Sequence, residues 1–308
     1  MNLNQIWGWT FSTRRIAGMR PSRPQAAAAA LLLVVALWGA SFVVVRAAVA
    51  AYPVVGFLFL RFVLGGAALM AIAYVRPSSR PEWRRVPRRS LAGVGVALTV
   101  GYVTQTLGLA LGASAGVAAT LTSLVVVLAP AWEWVMTGRA PDRRVVVSSA
   151  LAIVGTILVC HAASPSISVG EVGQMAGIGL EIISAAAFAL QVVLVGRLGQ
   201  SLSATALGGA QLLMVAVLLM PVLPFAGGLP MPTPGVAGAM VFSALGASAF
   251  GFAVQAAAQK HLSTDAAAVV MATEPGFALV TAALVGEQQL GLLAGLGLAL
   301  LLAGVAAQ

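Results

Sequence analysis

Residues 26–49 read AAAAALLLVVALWGASFVVVRAAV, a run of 24 residues in which Arg46 is the one charged side chain. A spanning helix needs about 20 mostly apolar residues, so this run predicts a transmembrane helix. Over the whole chain of 308 residues, 60% are hydrophobic and 8% are charged, whereas a soluble domain has about 25% charged residues. A soluble protein could not cover its surface with so few charges, so the composition predicts an integral membrane protein.

Nine further apolar runs follow the first. The runs are continuous rather than alternating in polarity, which excludes a transmembrane β-barrel and predicts helices that satisfy their own backbone hydrogen bonds in lipid. The sequence therefore predicts an all-α integral membrane protein with ten transmembrane helices. The predicted spans, numbered 1 to 10, cover residues 26–49, 54–75, 91–111, 115–137, 143–161, 173–197, 205–225, 236–258, 265–285 and 288–307.

The 17 basic residues, of which 16 are Arg, predict the orientation of the chain. Arg46 and Arg61 lie inside spans, and the others lie in the N-terminal segment 1–25 or at the connections after spans 2, 4, 6 and 8, including Arg143, Arg144 and Arg197 at the cytoplasmic ends of spans 5 and 6. Because cytoplasmic connections are enriched in Lys and Arg, both termini are predicted to be cytoplasmic. This placement explains the net charge of +9 without a nucleic-acid partner. The preference for Arg, with many Ala and Gly, indicates a GC-rich bacterial genome and therefore the inner (plasma) membrane.

An internal repeat divides the chain into two halves. Trp38 and Arg61 are 23 residues apart in spans 1 and 2, and Phe188 and Gln211 are also 23 residues apart in spans 6 and 7. Self-similarity at a fixed offset indicates a duplicated structural unit.

Pro130 in span 4 and Pro275 in span 9 continue the correspondence at an offset of 145 residues. The predicted repeats cover residues 26–161 and 173–307, with five helices each. Because five is an odd number, the second repeat enters the membrane with the opposite orientation. Such inverted repeats place a binding site between the halves and supply the two facing states that alternating access requires. The pattern favours a transporter, although a duplicated scaffold would show it too.

Several short motifs add a family resemblance. They are Trp38-Gly39-Ala40-Ser41-Phe42 in span 1, Pro53 and Arg61-Phe62 at span 2, and Met271-Ala272-Thr273-Glu274-Pro275 with Gly286-Glu287 around span 9. In order, spacing and duplication they resemble the EamA-type members of the drug/metabolite transporter superfamily, over about residues 30–305. The resemblance implies a two-repeat, ten-helix carrier of small metabolites, commonly an exporter of amino acids or related compounds. It also implies a central cavity formed mainly by helices 1, 3, 4, 6, 8 and 9.

Glu274 is the ionisable residue nearest the centre of a span, where such a side chain is costly and needs a reason. Pro275 follows it directly, and because a proline lacks an N–H, span 9 is predicted to kink there. Glu274 can bind a substrate amine, carry a coupling proton or form a structural hydrogen bond within the bundle. The kink makes Pro275, together with Pro130, a candidate hinge.

Arg61 and Glu181 are further candidates for coupling or charge pairing. Arg61 suits a substrate carboxylate through a two-pronged hydrogen bond; alternatively, it belongs to an internal ion pair or contacts backbone carbonyls. If Glu274 stays ionised by pairing with a buried arginine, Arg61 is the best candidate partner. Glu181 lies about one third of the way into span 6.

Uncharged polar and aromatic side chains complete the candidate substrate site. Gln amides and Tyr hydroxyls orient zwitterions without the cost of a full charge, and aromatic faces hold apolar groups or ammonium ions. The same side chains also hold helices together, so both roles stay open. The candidate substrate-binding residues are Trp38, Tyr102, Gln105, Gln191, Gln255 and Glu274.

Two other functional classes predict different sequence features. An intramembrane enzyme needs a nucleophile beside a base, or several carboxylates around a metal, and the isolated acids of this chain supply neither. A channel subunit or scaffold needs no inverted halves with an acid near the centre of the membrane. There is also no nucleotide-binding loop, so ATP-driven transport is not expected. Because the acids are isolated, no metal ion is expected, and no cofactor is expected either. The expected partners are a small-molecule substrate, the lipid bilayer and protons as a candidate coupling ion, in a monomer or a homodimer.

Overall fold

The structure is a computed structural model of the chain and describes residues 22–81, 86, 88–163, 172–198, 201–286 and 291–307. These residues form helices and connections without a β-strand. The predicted cytoplasmic segment 1–25, apart from its last four residues, and Glu287 lie outside the described part. The α-helices are α1 (Arg23–Val49), α2 (Val54–Val75), α3 (Arg88–Ala110), α4 (Ala115–Thr122), α5 (Val125–Thr137), α6 (Arg143–Ala163), α7 (Val172–Leu198), α8 (Ala204–Leu219), α9 (Pro234–Val241), α10 (Gly251–Ala258), α11 (Thr264–Met271), α12 (Glu274–Leu284) and α13 (Leu292–Ala306).

Eight helical segments of the described residues are long and apolar enough to cross a membrane. The all-helical, multi-pass membrane fold is therefore confirmed. Predicted spans 5 and 10 are also helical, as α6 and α13, but α13 has 15 residues, fewer than the roughly 20 that a span needs. The count of ten spans stays a prediction. The eight segments are Arg23–Val49, Val54–Val75, Arg88–Ala110, Ala115–Thr137, Met175–Leu198, Ala204–Phe225, Pro234–Ala258 and Thr264–Leu284.

Spans 4 and 9 are each divided into two short helices in a similar way. The hydroxyls of Ser114 and Ser263 cap α4 and α11 by accepting hydrogen bonds of 3.2 and 3.1 Å from backbone N–H groups three residues later. Each capped helix has eight residues, and the chain is then interrupted at Ser123–Leu124 in span 4 and at Ala272–Thr273 in span 9. The second interruption lies beside Pro275, where the sequence predicts a kink, whereas the first was not predicted.

Pro130 and Pro275 lie on the corresponding helices α5 and α12, but at different positions along those helices. Pro130 is inside the continuous helix α5 and cannot donate to the carbonyl of Val126, four residues earlier. The hydroxyl of Ser149 in α6 donates to that oxygen instead, at 3.0 Å. Pro275 is the second residue of α12, where a missing N–H breaks no intrahelical bond. The hinge role of both prolines stays a prediction.

Span 8 changes its helical geometry in the middle of its length. Between α9 and α10 the chain forms a π-helix at Phe242–Phe250. π-Helical turns are rare and are frequently found at functional sites. In this protein the π-helix provides two hydrogen-bond acceptors for the first repeat, the carbonyl oxygen of Ala247 and the hydroxyl of Ser248.

The two repeats interlock, because the most extensive helix contacts join one repeat to the other. These contacts are α3 with α7, α6 with α13, α2 with α8, and α1 with α12. They are also reciprocal, since span 1 packs on span 9 and span 6 packs on span 4. Such reciprocity is expected of two related halves, and it places the buried centre of the molecule between them.

Candidate functional site

A cavity of about 40 Å³ lies between the repeats, where spans 1, 3, 4, 6, 8 and 9 meet. All six predicted substrate-binding residues line this cavity, although their binding of a substrate stays a prediction. One water molecule needs about 10–15 Å³, so the cavity has room for roughly three waters in this conformation. The lining residues are Trp38, Ser41, Phe42, Tyr102, Gln105, Thr122, Val125, Phe188, Gln191, Phe252, Gln255, Met271 and Glu274.

Aromatic rings form much of the cavity wall, with Tyr102 at their centre. The Tyr102 ring packs edge-on against Phe62, Phe188 and Phe252, with centroid separations of 4.8, 5.1 and 6.1 Å. Trp38 packs on Phe252 at 5.6 Å. Such pairs are favoured by the ring quadrupoles beyond the area that they bury, so they hold rings from both repeats in fixed positions around the cavity.

Trp38 is fixed by span 8. Its indole Nε1 donates a hydrogen bond of 2.7 Å to the carbonyl oxygen of Ala247 in the π-helix. The approach is close enough that a Cβ atom on Gly251 would lie 2.7 Å from the same nitrogen. A larger residue at position 251 would therefore displace the indole from the cavity wall.

Arg61 is 2% exposed and lies behind the cavity wall rather than in it. Its Nε donates to the hydroxyl of Ser248 at 2.8 Å, and its Nη2 donates to the hydroxyl of Tyr102 at 3.4 Å. The guanidinium carbon also lies 4.7 Å from the centroid of the Tyr102 ring. These partners differ from the carboxylate or backbone carbonyls that the sequence suggested, and they make Arg61 a support for Tyr102.

The side-chain amides of three helices form a buried network on the second repeat. Gln191 of α7 donates to Gln211 of α8 at 2.8 Å, and Gln255 of α10 donates to Gln191 at 3.2 Å. In the first repeat Gln105 donates to the hydroxyl of Thr122 at 3.1 Å. An amide has two donor hydrogens. Both are engaged in Gln191, which also donates to Gln255 at 3.5 Å, whereas Gln105 and Gln255 each retain one N–H for a ligand.

Glu274 is the first residue of α12, directly after the interruption at Ala272–Thr273. Its side chain is 7% exposed and lines the cavity. The first turn of a helix has unpaired N–H groups and the positive end of the helix dipole. The interruption of span 9 thus provides a polar environment for one carboxyl group, and the described lining residues include no Lys or Arg.

Glu181 lies outside the cavity wall, on the face of α7 that packs against α3. Its side chain is fully buried, and the structure does not join it to Arg61. Within the described ranges, no group of three or more His, Cys, Asp or Glu side chains is placed to hold a metal ion.

Sequence reasoning missed the apolar and hydroxyl part of the cavity wall. Phe188 and Phe252 lie three residues before Gln191 and Gln255, and residues three apart share a helix face, so this spacing could have identified them. Ser41 and Phe42 follow Trp38 by three and four residues, a spacing that also shares one helix face. No comparable signal marks Val125, which lines the cavity because span 4 is interrupted beside it.

The sequence model of the EamA-like transporter family matches residues 25–160 and 175–307. This match confirms the resemblance drawn from the motifs and the presence of two repeats. No curated protein matches the sequence. A solved crystal structure superposes on this one with a TM-score of 0.74 and 17% sequence identity, and the likeness covers 92% of this chain and 96% of that chain. It shows the fold alone.

Proposed function

The chain belongs to the EamA-like transporter family, and on this premise we propose that it is a secondary transporter that works by alternating access. The proposed cargo is a small metabolite such as an amino acid, exported across the bacterial inner membrane. The observation that carries the proposal is the cavity between the repeats, because inverted repeats place their binding sites at that interface.

The chemistry of the cavity suits a substrate with an amine and a second polar end. Glu274 is the one acidic residue among the described lining residues, and in its ionised form it can accept an ammonium group. The faces of Trp38 and Tyr102 add attraction for the same cation. The amides of Gln105 and Gln255 each have an N–H to donate to a carboxylate, so the site can hold both ends of an amino acid.

Transport requires the cavity to change its size. At about 40 Å³, the present cavity holds only a few waters and has no room for an amino acid with a side chain. The interruptions at Ser123–Leu124 and Ala272–Thr273 both adjoin lining residues. Short helices joined by an interruption can tilt separately, so these two positions are the proposed sites at which the cavity widens.

The test is transport by the purified protein in liposomes, with a panel of radiolabelled amino acids and with or without an imposed pH gradient. A carrier should give saturable flux that unlabelled substrate on the opposite side accelerates. Flux that rises in proportion to concentration would indicate a channel, and the absence of flux for the whole panel would contradict an amino-acid cargo.

Gln255 in α10 and Gln259 directly after the end of that helix, four residues apart, provide matched variants for this assay. Gln255 lines the cavity, whereas Gln259 lies outside it and donates to the backbone carbonyl of Val192 at 2.9 Å. Gln255→Leu should raise the substrate concentration needed for half-maximal flux, and Gln259→Leu should lower stability without that change. If both variants raised the concentration for half-maximal flux equally, this would contradict the assignment of the cavity as the substrate site.

A further inference from the structure

Glu181 is a carboxylic acid with no visible partner in the middle of a packed interface. Its side chain is 0% exposed, and neither Oε1 nor Oε2 has a hydrogen-bond partner among the described residues. On the same face of α7, the hydroxyl of Ser184 is satisfied, since it donates to the carbonyl of Gly101 at 2.9 Å. A bare carboxylate in such a position is far more costly than a neutral acid. Burial without a partner therefore favours the neutral acid over the carboxylate at this position.

Two glycines, Gly108 of α3 and Gly177 of α7, pack closely beside Glu181 and form a glycine contact between the two helices. A Cβ atom on Gly108 would lie 2.8 Å from Oε1 of Glu181 and 3.0 Å from the carbonyl oxygen of Gly177. Just beyond this contact α3 ends in the turn 111–114, where the N–H of Ala113 donates to the carbonyl of Gly108 at 3.0 Å. Among the described residues, the glycine contact and this turn lie between Glu181 and the end of the bundle that the Arg distribution predicts to be outside.

The neighbouring helices bring few titratable groups to Glu181. Helix α4 carries none, α3 carries Tyr102 and, at its opposite end, Arg88 and Arg89, α5 carries Glu133 and α11 carries Asp265, while the cavity acid Glu274 is on α12. Among these, Glu274 is the group whose charge acts on Glu181. Two carboxyl groups that interact bind and release their protons as a pair.

We propose that Glu181 carries a coupling proton: it holds the proton while the glycine contact is closed and releases it to water when α3 and α7 separate there. In the release step the O–H bond of the carboxyl group breaks, and the proton passes to a water molecule at the predicted outer end. The inference rests on the proposed function, since it names the ion and the residue through which that transporter is driven.

The first test measures the proton directly and needs no substrate. Infrared spectra of the reconstituted protein should contain the carbonyl band of a buried protonated carboxyl, which Glu181→Gln removes and Glu133→Gln, at a half-buried position outside the cavity lining, leaves in place. An unchanged band in Glu181→Gln would overturn the proposal. Because this readout does not depend on the amino-acid panel, it separates a failure of this inference from a failure of the proposed function.

The second test uses the glycine contact and keeps Glu181 intact, so it applies even where Glu181→Gln does not fold. Gly108→Ala should force α3 and α7 apart and speed hydrogen–deuterium exchange of the Glu181 carboxyl band. Gly93→Ala is the matched control, because its Cβ would meet only Leu194 Cδ1, at 3.3 Å, elsewhere on the same interface. Equal exchange rates in the two variants would contradict the proposed route.

The third test links the proton to transport. With an amino acid that the wild-type protein moves, Glu181→Gln should retain exchange between labelled and unlabelled substrate and lose accumulation driven by a pH gradient. Wild-type accumulation in this variant would overturn the proposal, since a merely structural residue would leave the coupling unchanged.

Discussion

The indole nitrogen of Trp38 donates a hydrogen bond of 2.7 Å to the carbonyl oxygen of Ala247, although the two residues are 209 positions apart in the chain. The next residue, Ser248, accepts the hydrogen bond from Arg61. Two successive positions of the π-helix in the second repeat therefore position spans 1 and 2 of the first repeat. The geometry of the cavity depends on this connection between the halves.

Replacement of Trp38 by Phe keeps an aromatic ring and removes the bond to Ala247. Loss of a buried hydrogen bond should lower the free energy of unfolding by about 1–3 kcal/mol, as measured by thermal unfolding in detergent. Trp132→Phe is the control, since Trp132 donates in the same way to the carbonyl of Ala186, at 3.1 Å, and does not line the cavity. Both variants should be less stable, but only Trp38→Phe should weaken substrate affinity. A change of affinity in both would contradict a specific role for Trp38.

Two serines of the π-helix provide a test of the Arg61 support. Ser248 accepts from Arg61 at 2.8 Å, whereas the hydroxyl of Ser243 is buried without a partner among the described residues. Ser248→Ala should cost about 1–3 kcal/mol because it leaves a buried charged donor unpaired. Ser243→Ala should be neutral or stabilising in the same unfolding assay. If both variants lost the same stability, the hydrogen bond from Arg61 to Ser248 would not be the cause of the loss in Ser248→Ala.

The close packing of α1 on α12 depends on the absence of a side chain at Gly39. A Cβ atom there would lie 2.8 Å from the backbone nitrogen of Ala278 and 2.9 Å from the carbonyl oxygen of Glu274. Gly39→Ala should therefore cost about 1–3 kcal/mol, as overpacking does. At Gly179 a Cβ would meet nothing within 4 Å, so Gly179→Ala should stabilise α7 by about 0.5–1 kcal/mol. A more stable Gly39→Ala variant or a less stable Gly179→Ala variant would contradict this description of the packing.

Glu274→Gln keeps the shape and the hydrogen-bonding capacity of the side chain and removes its titration. If Glu274 takes part in proton coupling, the variant should exchange substrate but fail to accumulate it against a gradient in liposomes. If Glu274 binds a substrate amine, exchange should weaken too. Wild-type behaviour in both assays would limit Glu274 to a structural role beside the interruption of span 9.

The orientation predicted from the Arg distribution can be tested by labelling engineered cysteines in intact cells. After the single native cysteine, Cys160, is replaced by serine, Ser78→Cys should be protected from an impermeant reagent and Met231→Cys should react with it. Both positions are exposed in the structure, Met231 by 94%. Reaction at Ser78→Cys from outside would overturn the orientation.

Composition and hydropathy were sufficient to locate the helical segments and to choose polar residues that face inward. Predicted span 2, residues 54–75, coincides with α2 (Val54–Val75), and predicted span 6, residues 173–197, differs from α7 (Val172–Leu198) by one residue at each end. The reason is physical: lipid offers no hydrogen bonds, so a long apolar run must form a helix. A polar side chain in such a run is costly unless it faces the interior of the bundle, and therefore Gln191 and Glu274 could be selected before their neighbours were known.

The tertiary structure alone decided what those residues contact. The interruption at Ser123–Leu124 and the π-helix at Phe242–Phe250 have no marker in their own sequence. The partner of Arg61 is a serine 187 positions later, and the isolation of Glu181 follows from the glycine contact between α3 and α7. Such features depend on how the two repeats pack against each other, and composition and spacing within one helix contain no information on the facing helix.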